Sequence, residues 1–389
     1  MIRIARVTLR EIHLPLTEPF HTATGVVDKR RILLVELRDA DGVTAWSECV
    51  AEALPTYSPE TVDTCWRALS ERILPIVLEG SYASASMVDG ALAQRAPGDR
   101  MARAAIEMGA WAMEALHREV PLATLLAHES EAAQKLAATP RAYVESGIAL
   151  GMHATPGALA DRAAAALSQG YRRIKLKISP SDDFQFVRAV RDALGPDASL
   201  SVDANCSYSM LDATHVTSLK SLDSLGLAMI EQPLGQTELA EHAELQRLLA
   251  TPICLDESIT GDASVKEMLA LGSARIVNLK PGRVGGFQES LAIHDRCAGA
   301  GIPLWCGGML ESGIGRAYNV ALASLPSFTE PGDLSPSSRY WARDIVKQPW
   351  TMDEKGRVKV PLERPGIGVD VDESYVDDLT VRRAAFSAG

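Results

Sequence analysis

The chain has 389 residues, of which 47% are hydrophobic and 23% are charged, and its formal net charge is −11 at pH 7. The length predicts roughly two or three domains, and the composition is typical of a soluble globular protein. The acidic balance disfavours a nucleic-acid partner, because phosphate binding needs an excess of Lys and Arg, and no apolar run reaches the roughly 20 residues of a membrane span.

The first part of the chain, residues 1–130, is predicted to form an α+β domain. Its expected strands are 2–16, 32–37 and 43–50. The alternation of charged and apolar residues at the N-terminus is typical of a strand and not of a signal peptide. One helix is predicted to begin at Ser58 and another at Met101. Ser58 is expected to cap the first helix, with Pro59 at its first position.

Residues 131–335 alternate between short β-rich segments and stretches with helical spacing. The β-rich segments are YVESGIAL, RRIKLKI, LSVDAN, AMIEQPL, PICLDE, RIVNLKPG, PLWCGG and, least clearly, SFTEPGDL. This pattern predicts an α/β fold with a parallel (β/α)8-type barrel, for which the α+β domain serves as a cap. Residues 336–389, rich in Pro and Gly, are expected to pack back on the cap.

The cysteines give no sign of a disulfide framework. They are Cys49, Cys65, Cys206, Cys254, Cys297 and Cys306, with no C-x-x-C pair among them. Such scattered spacing fits neither a disulfide scaffold nor a zinc site, and most of the thiols stand in apolar strings, as buried cysteines do. We therefore expect a cytoplasmic protein.

Charged residues stand at the C-terminal ends of five consecutive predicted barrel strands. They are Lys175, Lys177, Asp203, Glu231, Asp256, Glu257 and Lys280. The active site of such a barrel lies at this end of the strands. Because side chains alternate along a strand, Lys175 and Lys177 share a face that points into the barrel mouth. A solvated strand end would explain any one of these charges, but a shared site explains all of them better.

Three of the carboxylates, Asp203, Glu231 and Asp256, are expected to converge from neighbouring strands. Their mutual repulsion would force at least one of them to take a proton unless a cation is bound. Oxygen ligands alone suit Mg²⁺ or Mn²⁺ better than zinc. The sequence thus predicts a divalent metal site, with a purely structural metal as the alternative.

Two lysines, Lys177 and Lys280, are expected to face each other across the mouth, because they follow strands four apart in a ring of eight. Bases on opposite sides of a bound substrate suit the removal of a proton from one face and its return to the other. The metal ion would stabilise the enediolate. The ion and Lys175 are expected to lower the pKa of these lysines towards the range of a general base. Structural ion pairs with the carboxylates are the alternative.

A set of motifs occurs in a fixed order along the chain: IKLKI, VDANCSY, IEQPL, CLDES, NLKPGRVGG and WCGGMLESGIGRA. In this order they resemble the muconate-lactonising subgroup of the enolase superfamily, and within it the o-succinylbenzoate synthase/N-succinylamino acid racemase family. The resemblance extends to LPTYSPETVDTCW near the start and PGDLSPSSRYW near the end. The mandelate racemase-like subgroup is disfavoured, since PLWCGG lacks a histidine.

The resemblance implies a Mg²⁺-dependent enzyme that abstracts the α-proton of a small carboxylate substrate. The expected outcome is racemisation of an N-acyl amino acid, in particular an N-succinyl one. The alternative is dehydration to o-succinylbenzoate in menaquinone biosynthesis, and the two activities can coexist. A homo-oligomer is also expected.

Residue by residue, the resemblance implies roles for the positions that match its motifs. The Mg²⁺ ligands are Asp203, Glu231 and Asp256. The acid/base pair is Lys177 and Lys280, with Lys175 supporting Lys177, and the supporting polar residues are Asn205 and Glu257. The presence of Arg283 just after Lys280 is a feature that this chain shares with the branch that racemises N-acylamino acids. Gly308 and Met309 lie in the segment that meets the acyl part of the substrate, and Ala149 departs from the serine that relatives often carry.

Two segments of the cap are predicted to close over the barrel mouth, LPLTEPFHTATG and VAEALPTYS. Phe20 and Tyr57 would then form walls of the substrate pocket, although core packing explains each of them equally well. Two other readings of the chain stay open: a Schiff-base aldolase that uses the mouth lysines, and a barrel that has kept only a binding or structural role.

Overall fold

A computed structural model describes residues 1–22, 25–180 and 183–389, without the side chains of residues 20–22, 25 and 26. The strands are β1 (Ile4–Thr22), β2 (Gly25–Asp39), β3 (Thr44–Cys49), β4 (Tyr143–Glu145), β5 (Gly147–Leu150), β6 (Arg173–Lys177), β7 (Leu200–Asp203), β8 (Ile230–Glu231), β9 (Ile253–Leu255), β10 (Ile276–Leu279), β11 (Leu304–Cys306), β12 (Arg357–Lys359) and β13 (Thr380–Ser387). Within this part of the chain, no helix combines the length and the apolar character that a membrane span needs.

Fifteen α-helices lie between or after these strands in the described part of the chain. They are α1 (Val62–Ala68), α2 (Leu74–Glu79), α3 (Ala85–Arg95), α4 (Arg100–His117), α5 (Leu122–Glu129), α6 (Glu131–Lys135), α7 (Pro156–Ser168), α8 (Asp183–Leu194), α9 (Ala213–Leu222), α10 (Leu239–Leu248), α11 (Asp262–Leu271), α12 (Pro281–Val284), α13 (Phe287–Ala300), α14 (Gly313–Ala323) and α15 (Glu373–Leu379). The six cysteines are all free thiols, and only Cys206 is partly exposed.

The N-terminal sheet is antiparallel, with its strands in the order β13-β1-β2-β3. Val7 of β1 pairs with Leu37 on one side and with Phe386 of the last strand on the other. The end of the chain therefore completes the sheet with which the chain begins.

The first helix of this region begins later than expected. Its N-cap is Thr61, which forms a reciprocal capping box with Thr64, whereas the Ser58 hydroxyl only accepts a bond from the backbone N–H of Glu60. The prediction of Ser58 as the cap was wrong, because the Thr61 pair satisfies two free N–H groups of the first turn together. The helix then continues through a π turn, Leu69–Ile73, into α2. Pro75 lies just after this turn and lacks the N–H that a regular helix requires.

The second large sheet is parallel and follows the chain order β5, β6, β7, β8, β9, β10, β11. It confirms the predicted barrel class, with one difference at the eighth unit. The segment SFTEPGDL forms two single bridges, Phe328 to Leu304 and Gly332 to Ser146, and no strand. Pro331 lies between them and cannot donate to a ladder. The barrel ring is thus closed by a short bridging segment.

Two buried carboxylates of the cap hold the starts of barrel helices. Glu107 of α4 accepts bonds from the backbone N–H groups of Phe287 (2.7 Å) and Gln288 (2.8 Å), at the start of α13. Gly286 has a φ of +123°, and a Cβ on it would meet the Glu107 carboxylate at 2.1 Å. Glu48 of β3 likewise accepts from the N–H of Ser312, just before α14. The first N–H groups of a helix have no partner within the helix, so carboxyl oxygens that accept from them fix the cap on the barrel.

Candidate active site

The charged strand ends lie side by side because the strands are in register. Lys177 pairs with Asp203 across β6 and β7, and Asp203 pairs with Glu231 across β7 and β8. Asp256 directly follows β9, the next strand in the sheet. All three carboxylates are buried, with at most 1% of each residue exposed. The expected convergence of these groups at the C-terminal edge of the sheet is therefore observed.

The two lysines of β6 reach into this group of carboxylates. Lys175 Nζ lies 3.0 Å from Glu231 and 3.4 Å from Asp203. Lys177 Nζ lies 2.7 Å from Asp203 and 2.6 Å from the side-chain oxygen of Asn205. Burial alone would lower the pKa of Lys175, but the surrounding carboxylates outweigh it, and the pKa lies well above its ordinary value.

Asn205 connects this lysine to a further acid. Its amide nitrogen donates to Glu257 at 3.1 Å, while its oxygen accepts from Lys177. The other oxygen of Glu257 is buried and has no hydrogen-bond partner among the described residues. Burial, followed by the nearby charges of Asp256 and Asp203, raises the pKa of Glu257 to about 7.

Lys280 approaches from the opposite part of the ring. Its strand, β10, is separated from β6 by β7, β8 and β9. Lys280 Nζ lies 2.9 Å from Asp256 and 4.4 Å from the centre of the Tyr57 ring. Burial would lower the pKa of Lys280, but the Asp256 carboxylate raises it above its ordinary value. This direction is opposite to the one expected with a metal bound, because here Asp256 itself faces the lysine.

Tyr57 and Arg283 enclose Asp256 from the cap side. The Tyr57 hydroxyl donates to Asp256 at 2.8 Å and accepts from Arg283 at 3.1 Å. The Arg283 guanidinium also forms an ion pair with Asp256 and donates to the carbonyl of Ile259 at 2.7 Å. The cap loop that contains Tyr57 thus contacts Asp256 of the barrel. Tyr57 also lines the cavity described below.

Two residues that the sequence analysis missed belong to this network. Asp333, from the segment that closes the ring, lies 2.9 Å from Lys175 Nζ and 3.4 Å from Arg173. Asn278 donates to Glu231 at 2.8 Å. The role of Asn278 could have been predicted from the sequence, because it lies two positions before Lys280 and so points to the same side of the sheet. No local pattern pointed to Asp333, because its segment, SFTEPGDL, was the least clear of the eight predicted strands.

The carboxylates are compatible with a divalent cation, although their side chains are turned towards cations of the protein. Within the described residues, no three acidic, His or Cys side chains are gathered closely enough to hold a metal as they stand. Burial and then the charge of Asp203 raise the pKa of Glu231 to about 8. Burial thus disfavours the charged form of Glu231, and one buried oxygen of Glu257 has no partner among the described residues; a bound cation would relieve both. The all-oxygen donor set suits Mg²⁺ or Mn²⁺.

A cavity of about 570 Å³ opens over these groups and reaches up to the cap. Ala149, Lys177 and Lys280 line its barrel side, and Gly308 and Met309 line its wall. A Cβ on Gly307 would lie 2.3 Å from the Asn278 side chain and 2.6 Å from Lys280 Cε, so the first glycine of this segment makes room for the lysine. The side chain of Phe20 lies outside the part of the chain that the structure describes, and only its backbone pairing with Val27 is known.

Comparisons with known proteins agree with this geometry. Residues 4–127 match the family model "Mandelate racemase / muconate lactonizing enzyme, N-terminal domain", and residues 158–375 match "Enolase C-terminal domain-like". The o-succinylbenzoate synthase of Geobacillus stearothermophilus is 43% identical over 380 residues, which are 97% of this chain and 96% of that one. The N-succinylamino acid racemase of an Amycolatopsis species is 42% identical over 382 residues, which are 98% and 99%. A solved enolase superfamily member from Listeria innocua superposes with a TM-score of 0.92 at 35% identity, over 100% of both chains.

Proposed function

Because the chain belongs to the enolase superfamily and carries both domains of its mandelate racemase/muconate lactonizing enzyme branch, we propose that it racemises N-acyl amino acids, N-succinyl amino acids in particular. Relatives named N-succinylamino acid racemase, at 42% identity over nearly the whole chain, support this choice. The substrate is a small carboxylate, and the step is the removal and return of its α-proton.

The placement of the two lysines carries the proposal. Lys177 and Lys280 stand on strands that three others separate, and both line the same cavity. One lysine removes the proton from one face of the α-carbon, and the other returns a proton to the opposite face. Lys175, which touches Asp203 and Glu231, keeps a fixed positive charge beside Lys177.

The carboxylates Asp203, Glu231 and Asp256 would hold a divalent cation. Such an ion would supply positive charge that stabilises the negative charge developing on the substrate carboxylate as the α-proton leaves. Asn205 and Glu257 keep Lys177 oriented, since Lys177 donates to Asn205, which donates in turn to Glu257. Tyr57 excludes water above Lys280 by covering it with its ring.

The second candidate is o-succinylbenzoate synthesis, a dehydration that also begins with loss of an α-proton. Relatives with that name, at 43% and 42% identity, favour it. So does the position of Lys280, which is held as a cation between Asp256 and the face of Tyr57. In that reaction Lys177 is the base and Lys280 steadies the intermediate by its charge.

The test incubates the enzyme and Mg²⁺ with each enantiomer of N-succinyl-phenylalanine and follows optical rotation. A parallel reaction contains the hydroxycyclohexadiene precursor and follows formation of o-succinylbenzoate by its absorbance. We expect racemisation from both enantiomers. If neither reaction occurs with either Mg²⁺ or Mn²⁺, the proposed function is wrong. Trapping of a covalent adduct by borohydride would support the aldolase alternative instead.

A further inference from the structure

The cap side of the cavity contains a buried cation that the proposed mechanism does not use. Arg30 of β2 lines the cavity, and only 4% of the residue is exposed. One terminal nitrogen of its guanidinium donates to the carbonyl oxygen of Val50 at 3.2 Å. Its Nε is buried and has no partner, and no carboxylate forms an ion pair with it within the part of the chain that is described.

Other cations that line the cavity, apart from the exposed Lys29, are neutralised by carboxylates of the protein. Lys177 pairs with Asp203, and Lys280 pairs with Asp256. Arg31, the next residue of β2, pairs with Glu11 and Asp63. A buried guanidinium that forms no ion pair is costly, because its desolvation is not offset by a direct contact with a carboxylate. A ligand that brings a negative group to Arg30 removes this cost.

The position of Arg30 identifies which part of a substrate it would meet. Its partner Val50 packs on Gly282, which follows β10, since a Cβ on that glycine would lie 2.4 Å from Val50. The charge of Arg30 also acts on Glu48, which holds the start of α14 after β11. The proposed metal ligands, in contrast, stand at the ends of β7, β8 and β9. Arg30 therefore lies towards the Gly308–Met309 side of the cavity, away from the carboxylates that would hold the metal ion and, through it, the α-carboxylate of the substrate.

We propose that Arg30 binds a second carboxylate of the substrate, the one at the free end of a dicarboxylic acyl group such as succinyl. The inference rests on the proposed function and makes Arg30 a determinant of acyl-group specificity. A guanidinium presents parallel N–H donors that match a carboxylate. Lys29, which is exposed and lines the same cavity, adds a second positive charge on this side.

The experiment compares two substrates that differ only in the charge at the end of the acyl chain. They are N-succinyl-phenylalanine and its monomethyl ester at the succinyl carboxylate. The rate of racemisation is measured with wild type, Arg30→Met and Arg30→Lys. Arg31→Met is the matched control, because its guanidinium is on the same strand and already carries carboxylate partners.

We expect wild type to prefer the succinyl substrate by about 10- to 100-fold in kcat/KM, the range for a charge-assisted bond. Arg30→Met should lose this preference, mainly through a higher KM for the succinyl substrate, with the ester nearly unaffected. Arg30→Lys should retain part of the preference, and Arg31→Met should retain all of it.

The proposal is overturned if Arg30→Met slows both substrates equally, because that result indicates a structural role through Val50. If Arg30→Met does not fold, the wild-type comparison still decides: equal kcat/KM for the two substrates overturns the proposal. Absence of racemisation with both substrates in wild type is a different failure, that of the proposed function itself.

Discussion

The two sides of the cavity differ in how their charges are balanced. On the barrel side, Lys177 and Lys280 each contact a carboxylate at 2.7 to 2.9 Å. On the cap side, Arg30 is buried, but its described contact is a backbone carbonyl. The lysines of the barrel side are thus paired with carboxylates, whereas Arg30 on the cap side has no ion-pair partner among the described residues.

This difference suggests a division of labour. Paired acids and bases on rigid strand ends suit a reaction that is the same for every substrate, because their geometry is set by the sheet register. An unpaired cation on the cap suits the recognition of a variable group, since its partner comes from outside. Changes on the barrel side should therefore affect all substrates alike, and changes on the cap side should affect them selectively.

Removal of the metal should have the largest effect on turnover. Because the proposed metal ligands lie on the barrel side, the effect should be the same for all substrates. Chelation with EDTA should lower turnover by about 10³-fold or more, since the electrophile contributes several kcal/mol to the barrier. The N-succinyl substrate and its methyl ester should lose activity by the same factor. Circular dichroism before and after chelation controls for unfolding, and added Mg²⁺ should restore the rate. Full activity of metal-free enzyme would exclude the proposed metal site.

The second-largest fall in rate is expected from a single methyl group added at Gly307. Gly307→Ala places a Cβ within 3 Å of both Asn278 and Lys280 Cε, so the lysine must move. A shift of about 1 Å in a reacting group costs roughly 10²-fold in rate, and kcat should fall with little change in substrate preference. Gly299→Ala in α13 is the control, because nothing lies within 4 Å of its added Cβ. Equal rates for the two variants would contradict the close packing of Lys280.

The contact between Glu107 of the cap and the start of α13 in the barrel should make the free energy of unfolding depend on pH, whichever substrate is used. Burial raises the pKa of Glu107 to about 8, above its value in an unfolded chain. The contribution of this group to stability is complete below pH ~4.5 and is lost as the pH rises through about 8. Glu107→Gln removes that titration, so from pH 6 to pH 9 the variant should gain stability relative to wild type by about 1 kcal/mol or more.

Urea unfolding at each pH measures this difference in the free energy of unfolding. The exposed Glu244→Gln is the control and should follow wild type at every pH. Parallel curves for Glu107→Gln and wild type would show that Glu107 does not titrate in this range.

Much of the barrel side could be inferred from the sequence. Strand alternation placed Lys175 and Lys177 on one face, and the order of units placed Lys280 opposite them; the predicted barrel class and family resemblance are both confirmed. The roles assigned to individual site residues remain predictions. Local patterns worked here because each residue's position follows from its own strand.

Contacts that join distant segments escaped the sequence analysis. Asp333 reaches Lys175 from a segment that only bridges its neighbours, and Glu107 meets α13 across 180 residues of chain. Neither contact follows from local periodicity. Arg30 escaped for a related reason: in sequence it is one of three consecutive basic residues, and only the fold shows that it is buried without an acidic partner.

The most direct test of the central claim is the exchange of the α-hydrogen with solvent deuterium, followed by NMR for each enantiomer of N-succinyl-phenylalanine. We expect wild type to exchange both enantiomers. Lys177→Ala and Lys280→Ala should each lose racemisation by about 10² to 10⁴-fold, and each should still exchange only the enantiomer whose proton faces the remaining lysine. If both variants exchanged both enantiomers at the wild-type rate, the two-lysine mechanism would be wrong.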